Sequence, residues 1–117
     1  MQVLVHTDNN IEGSQALQQH VETVVASTLE RFSDQITRVE VRLTDENSSE
    51  KESANDKRCV MEARLAGQQP IIVSDQGASL DQAIDGAMDK LERTLNRTIE
   101  RLHDHKGRTS FGGDQTI

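Results

Sequence analysis

The chain has 117 residues, enough for one domain with a modest core and too few for two. It carries 13 Lys and Arg against 20 Asp and Glu, a formal net charge of −7, with one cysteine and two aromatic residues, Phe32 and Phe111. That composition excludes an intrachain disulfide and a four-cysteine zinc site, and it leaves too few rings for a base-stacking platform; no apolar run approaches the roughly 18 residues of a membrane span.

The N-terminal MQVLVHT alternates, with Val3 and Val5 on one side and Gln2, Leu4 and His6 on the other, and predicts a short strand. It has neither the basic flank nor the long apolar core of a secretory signal, so a cytoplasmic location is expected. DNNIEGS reads as a turn, and Ser14 as the N-cap of a helix. From there to Phe32 the residues Leu17, Val21, Val24, Val25, Thr28 and Phe32 recur at spacings of three and four, one face of a helix.

ITRVEVRLTD alternates cleanly, with Val39, Val41 and Leu43 facing one way and Arg38, Glu40 and Arg42 the other. ENSSEKESANDK breaks every period and predicts a mobile acidic loop. RCVMEARLAG alternates again, placing Cys59, Met61, Ala63 and Leu65 inward, where Cys59 serves as a small core residue. After a tight QQ link, Pro70 opens a last short strand, PIIVSD. Arg38, Arg42, Arg58 and Arg64 are expected on the outer sheet face, in cross-strand ion pairs with Glu40 and Glu62.

Ser79 and Gln82 form a Ser-x-x-Gln capping box. Leu80, Ile84, Ala87, Met88, Leu91, Leu95, Ile99 and Leu102 then sustain a helical stripe, with Gly107 as the predicted stop and 105–117 as a flexible tail. The predicted fold is α+β, a β-α-β-β-β-α two-layer sandwich over residues 1–104. It has a four-stranded, mostly antiparallel sheet with two helices on one face.

Charge on the last helix is sorted. At 100° per residue, Asp81, Asp85, Asp89, Glu92 and Glu100 fall on one flank of the apolar stripe, and Lys90, Arg93, Arg97 and Arg101 on the other. Arg93, Arg97 and Arg101 stand one turn apart, about 6 Å per step, a pitch able to follow a row of phosphates that guanidinium groups bind bidentately. Two readings compete. Asp89–Arg93 and Arg97–Glu100 are at ion-pairing spacings, so the flank can be a solvated helix face; equally, it can be a phosphate-binding edge.

The segments NNIE (9–12), ITRVEVRL (36–43), MEARLAG (61–67) and AIDGAMDKLERTL (83–95) occur in this order of elements. With that arrangement the chain resembles the ribosome hibernation-promoting factor and ribosome-associated inhibitor family, also described as sigma-54 modulation or ribosomal subunit-interface proteins. The resemblance spans residues 1–104. It implies a fold like that of double-stranded RNA-binding domains, and a stress or stationary-phase factor that binds the small ribosomal subunit and occludes the mRNA and tRNA site. Carried onto this sequence, it makes Lys90, Arg93, Arg97 and Arg101 contacts to 16S rRNA phosphates. The first helix departs from the family's lysine-rich pattern, having only Arg31 beside Glu22 and Glu30. That departure and the acidic loop lower the electrostatic part of rRNA affinity.

No nucleophile motif, phosphate loop or dinucleotide fingerprint is present, and no enzymatic activity, cofactor, membrane contact or DNA partner is expected. His103, Asp104 and His105 point apart on a helix and make a poor metal set. Two further expectations stand beside the rRNA reading: a module that kept the fold but lost tight rRNA binding, whose acidic flank (Asp81, Asp85, Asp89, Glu92) and acidic loop would recognise a basic protein, and a weak homodimer along an exposed sheet edge.

Overall fold

The computed structural model describes residues 1–8, 11, 14–45 and 56–111, with 103–111 described by backbone alone. Of the predicted acidic loop, 46–57, residues 46–55 lie outside the described residues, as does the segment 112–117, while Lys57 already belongs to a strand. The elements are β1 (Gln2–Thr7), α1 (Gln15–Thr28), a 3-10 turn (Glu30–Phe32), β2 (Ile36–Asp45), β3 (Lys57–Leu65), β4 (Ile71–Gly77) and α2 (Leu80–Phe111). The sheet order is β1-β2-β3-β4, so β1 and β4 are its edges.

Two of the three strand pairings are antiparallel; β1 pairs parallel with β2. The reason is α1, whose crossover returns the chain to the same end of the sheet, whereas the tight β3–β4 link can only reverse it. That link turns at Gly67, where φ is +73° and a side chain would be strained. Gln68 N donates to Leu65 O there, at 3.2 Å.

Alternation in the strands sets the two faces. Val39, Val41 and Leu43 of β2 stand opposite Ala63, Met61 and Cys59 of β3, and all six are buried. Against them lie Val21, Val25 and Leu29 from the first helical segment and Ala83, Ile84, Ala87, Met88, Leu91 and Leu95 from α2. Among the described residues every buried side chain is apolar. With a coefficient of about 25 cal/mol per Å² of apolar surface, each such Leu, Ile or Val contributes roughly 1.5–3 kcal/mol by leaving water.

Ser14 caps α1, its Oγ accepting from Leu17 N at 3.1 Å. The helix ends at Thr28 rather than running on to Phe32. The chain then tightens, with Phe32 N donating to Leu29 O at 2.9 Å. A 3-10 turn rises faster per residue than an α-helix and rotates Phe32 under the layer, where it is buried before β2 begins. Leu29, fully buried, continues the 21–25–29 spacing and belongs to the apolar face as well.

At α2, Gln82 N donates to Ser79 Oγ at 3.2 Å, while Gln82 Oε1 accepts from Ala78 N at 2.9 Å. The reciprocal cap therefore forms, shifted one residue outward from Ser79. The helix passes through Gly107 to Phe111 and does not stop at the glycine. A single glycine costs a helix about 1 kcal/mol but keeps its N–H donor, so it does not by itself break the ladder. At 32 residues α2 is about 48 Å long, against about 23 Å for β4. It outruns the sheet, which is why Leu102, at the far end of the apolar stripe, is exposed.

Gly86 sits mid-helix above β4. A Cβ there would overlap Asp75 Oδ2 and stand 2.7 Å from Asp75 Cγ. Gly86→Ala should therefore lower the melting temperature. In an Asp75→Ala background the same change should raise stability by up to about 1 kcal/mol, the ordinary gain of alanine over glycine in a helix; thermal melts of the two pairs check this.

Cys59 is fully buried, and its thiol is pushed up from 9.0 to about 12, first by desolvation and then by the Asp75 carboxylate. The folded state thus holds this proton more tightly than the unfolded state. The stabilisation it gives is complete below the unfolded pKa and is lost as pH rises through the folded one, by up to about 1.4 kcal/mol per pH unit between the two. Cys59 should resist alkylation near neutral pH in the native protein, and urea titrations should show stability falling from about pH 9 upward.

Candidate nucleic-acid interface

β4 runs out along the sheet edge and α2 returns over it, so one flank of α2 hangs beside the open edge and the other faces α1. Helical period alone then decides which charges go where. Lys90, Arg93, Arg97 and Arg101 fall on the edge side, and all four are exposed. Three shallow grooves follow one another along this border. The first, about 220 Å³, is lined by Arg58, Ser74, Asp75, Gln76 and Lys90. The second, about 410 Å³, shares Ser74 and Lys90 and adds Val73, Arg93, Thr94 and Arg97. The third, about 290 Å³, lies between Gln68 of the β3–β4 link and Thr98, Arg101 and Leu102 of α2.

The four predicted bases are therefore brought onto one track, but they are not equivalent. Lys90 Nζ donates to the Ser74 carbonyl at 2.9 Å and lies 3.6 Å from Asp75 Oδ1. It covers a backbone acceptor on the open edge, a common way to blunt strand-to-strand association. Arg93 pairs with Asp89 Oδ2 at 2.7 Å, both side chains about two-thirds exposed (66% and 64%). Such a surface pair contributes about 0–1 kcal/mol and exchanges readily for another anion. Arg97 and Arg101 have no carboxylate partner among the described residues, and the pair expected between Arg97 and Glu100 does not form there.

On the opposite flank one carboxylate has a cationic partner from another element and one lies beside a histidine. Glu92 accepts from Arg31 Nη2 at 3.3 Å, and His20 Nε2 lies 3.4 Å from Asp81 Oδ1. Arg31, the one base expected near the end of the first helix, also stacks 4.6 Å from the Phe32 ring centroid. It is thus engaged within the helix layer, and α1 adds no cation to the track.

The outer sheet face differs from the expected cross-strand pairing. Register sets Arg38 opposite Arg64 and Glu40 opposite Glu62, like against like. The ion pairs run along strands instead: Arg64–Glu62 at 3.3 Å and Arg38–Glu40 at 3.9 Å, with His6 reaching Glu40 from β1 at 3.4 Å. Arg58 belongs to this face by alternation, yet it lines the first groove with Lys90. Sequence periodicity had no means of finding that, because the meeting occurs across the β3–β4 pairing and the edge of α2. Among the described residues no group of three His, Cys, Asp or Glu could hold a metal ion, and no helix is long and apolar enough to cross a membrane.

A β-α-β-β-β-α sandwich of this kind is the fold of a ribosome-associated protein family. Residues 4–103 match the family described as sigma 54 modulation protein / S30EA ribosomal protein, and the chain belongs to it. Among solved structures it is similar to the Thermus thermophilus Protein Y N-terminal domain, with a TM-score of 0.65 and 26% identity over 84% of this chain and 99% of that one. It shares its fold with a ribosomal subunit interface protein from Coxiella burnetii, with a TM-score of 0.65 and 18% identity over 86% of this chain and 99% of that one. No curated protein matches the sequence.

Because these bases are exposed and outside the core, Arg97→Gln and Arg101→Gln should each change folding stability by less than about 0.5 kcal/mol. Denaturant melts check this, and they license both variants as probes of binding.

Proposed function

We propose that this protein binds the small ribosomal subunit through 16S rRNA phosphates and inhibits translation by occupying the mRNA and tRNA site, as a stress or stationary-phase factor of the cytoplasm. The observation that carries this reading is the row Lys90, Arg93, Arg97 and Arg101 beside the β4 edge. It is a cluster of exposed cations in a chain whose total is −7. Membership of a ribosome-associated family supports it, as does likeness to proteins titled for the ribosomal subunit interface.

The mechanism is occupancy, and no bond is made or broken. A helix with guanidinium groups about 6 Å apart can follow successive backbone phosphates of an RNA strand. Each phosphate neutralised releases a counterion, so affinity falls as salt rises. Recognition of this kind reads backbone shape more than sequence. A domain held by such contacts excludes other RNA from the same cleft sterically. α1 carries no lysine or arginine, so the electrostatic part of the contact depends on α2, and its salt dependence scales with the phosphates that α2 neutralises.

The alternative, an acidic surface that recognises a basic protein, is weakened by the pairing of Glu92 with Arg31 and of Asp89 with Arg93. Co-sedimentation with separated ribosomal subunits tests the choice. We expect pelleting with the small subunit at low salt that declines at moderate salt, and loss of pelleting for Arg93→Glu with Arg97→Glu. Unchanged pelleting of that double variant would remove the site, and no pelleting of the wild type at either salt would overturn the reading.

A further inference from the structure

The structure assigns to Asp75 the role of dividing the basic track. It anchors Lys90 to the sheet edge, so that Arg97 and Arg101, not Lys90, carry the contact to ligand phosphate. This inference rests on the rRNA reading above and specifies how that site is organised.

Asp75 stands opposite Cys59 in the β3–β4 register and therefore on the helix-facing side of the edge strand. An acid there is unusual, since the neighbouring positions on that side, Ile71 and Val73, pack against the core. Space for it comes from Gly86, directly above, where any side chain would collide with the carboxylate. Glycine in a helix interior is unfavourable without a reason of this kind. Lys90 is one turn beyond Gly86, so its ammonium descends over the same spot and meets Asp75 Oδ1 at 3.6 Å and the Ser74 carbonyl at 2.9 Å. Asp75 Oδ1 also accepts from Gln76 N at 2.9 Å, which fixes the carboxylate.

A phosphate approaching Lys90 therefore meets a fixed negative charge alongside the ammonium. Two of the ammonium's three donor directions already face Ser74 O and Asp75, which leaves one for a phosphate. Arg93 differs, because its partner Asp89 is on the helix surface and is as exposed as the arginine. Arg97 and Arg101 differ more, since no carboxylate among the described residues holds them. Charge on the track is thus graded along α2: compensated at Lys90, exchangeable at Arg93, uncompensated at Arg97 and Arg101. Asp75 is a positioning residue, acting on the ligand through Lys90.

The test is binding of purified bacterial small ribosomal subunits, as a function of salt between about 50 and 200 mM, by wild type, Lys90→Gln, Arg97→Gln, Asp75→Asn and the Asp75→Asn, Lys90→Gln double variant. Arg97→Gln should lower the slope of log affinity against log salt by about 0.7–0.9, one phosphate contact. Lys90→Gln should lower slope and affinity by much less than Arg97→Gln does. Asp75→Asn should bind several-fold more tightly with a steeper slope, and the gain should vanish in the double variant, because it comes from the released Lys90. A loss in Lys90→Gln equal to that in Arg97→Gln overturns the division while the rRNA reading stands. This comparison leaves Asp75 untouched and holds even if Asp75→Asn folds poorly. An Asp75→Asn variant that folds and binds with unchanged slope also overturns the division. Wild type that fails to bind at any salt overturns both.

Discussion

A single apolar layer, closed between one face of a four-stranded sheet and the stripes of two helices, is the constraint on which everything else in this molecule depends. With two aromatic residues in the whole chain, that layer is built mainly of Val, Leu, Ile, Ala and Met, joined by Phe32 and Cys59. Aliphatic side chains of this size fill the space only if both helices lie flat on the sheet and every strand alternates without error. Once α2 is pressed down along Ala83, Ala87, Leu91 and Leu95, its rotation about its own axis is set. Its flanks are then no longer interchangeable: one must look at α1 and the other at the open edge of β4.

That fixed rotation turns a charge pattern into a charge distribution. The acidic flank faces the helix layer, where Glu92 pairs with Arg31 and Asp81 lies beside His20. The basic flank meets no second helix, only the edge of a strand. The protein is acidic as a whole, yet it presents a focused cationic border, and a focused local field matters more to a polyanion in contact than the net charge does. Family membership points to a ribosome-associated protein.

Local order was legible in the strands and caps because their signals are local. Alternation in 36–43 and 59–65 needs no partner to be read, and Ser14 and Ser79 bond to N–H groups three residues away. Errors occurred where the outcome depends on what lies across the fold. The first helix closes at Thr28 because Phe32 must turn into the layer; Leu102 is exposed because the sheet ends beneath it. Arg38 and Arg64 pair along their strands because the β2–β3 register sets like charges opposite each other. The candidate site was half legible. Lys90, Arg93, Arg97 and Arg101 share a helix face, and a period of 3.6 finds such residues directly. Arg58, Ser74 and Asp75 come from other elements, and their place beside that face depends on how α2 lies over β4.

By itself, the sequence determined the element types, the core and the sorting of acid from base along the last helix, since all of these follow from side-chain period and short-range hydrogen bonding. Only the tertiary structure decided that β1 runs parallel to β2 and that the basic flank borders the open edge. It alone also decided that Lys90 is tied down by Asp75 and Ser74 while Arg97 and Arg101 are not so held. The reason is that an ion pair depends on distance in space, and Asp75 and Lys90, fifteen positions apart in the chain, are brought within 3.6 Å only by the packing of α2 across the sheet edge.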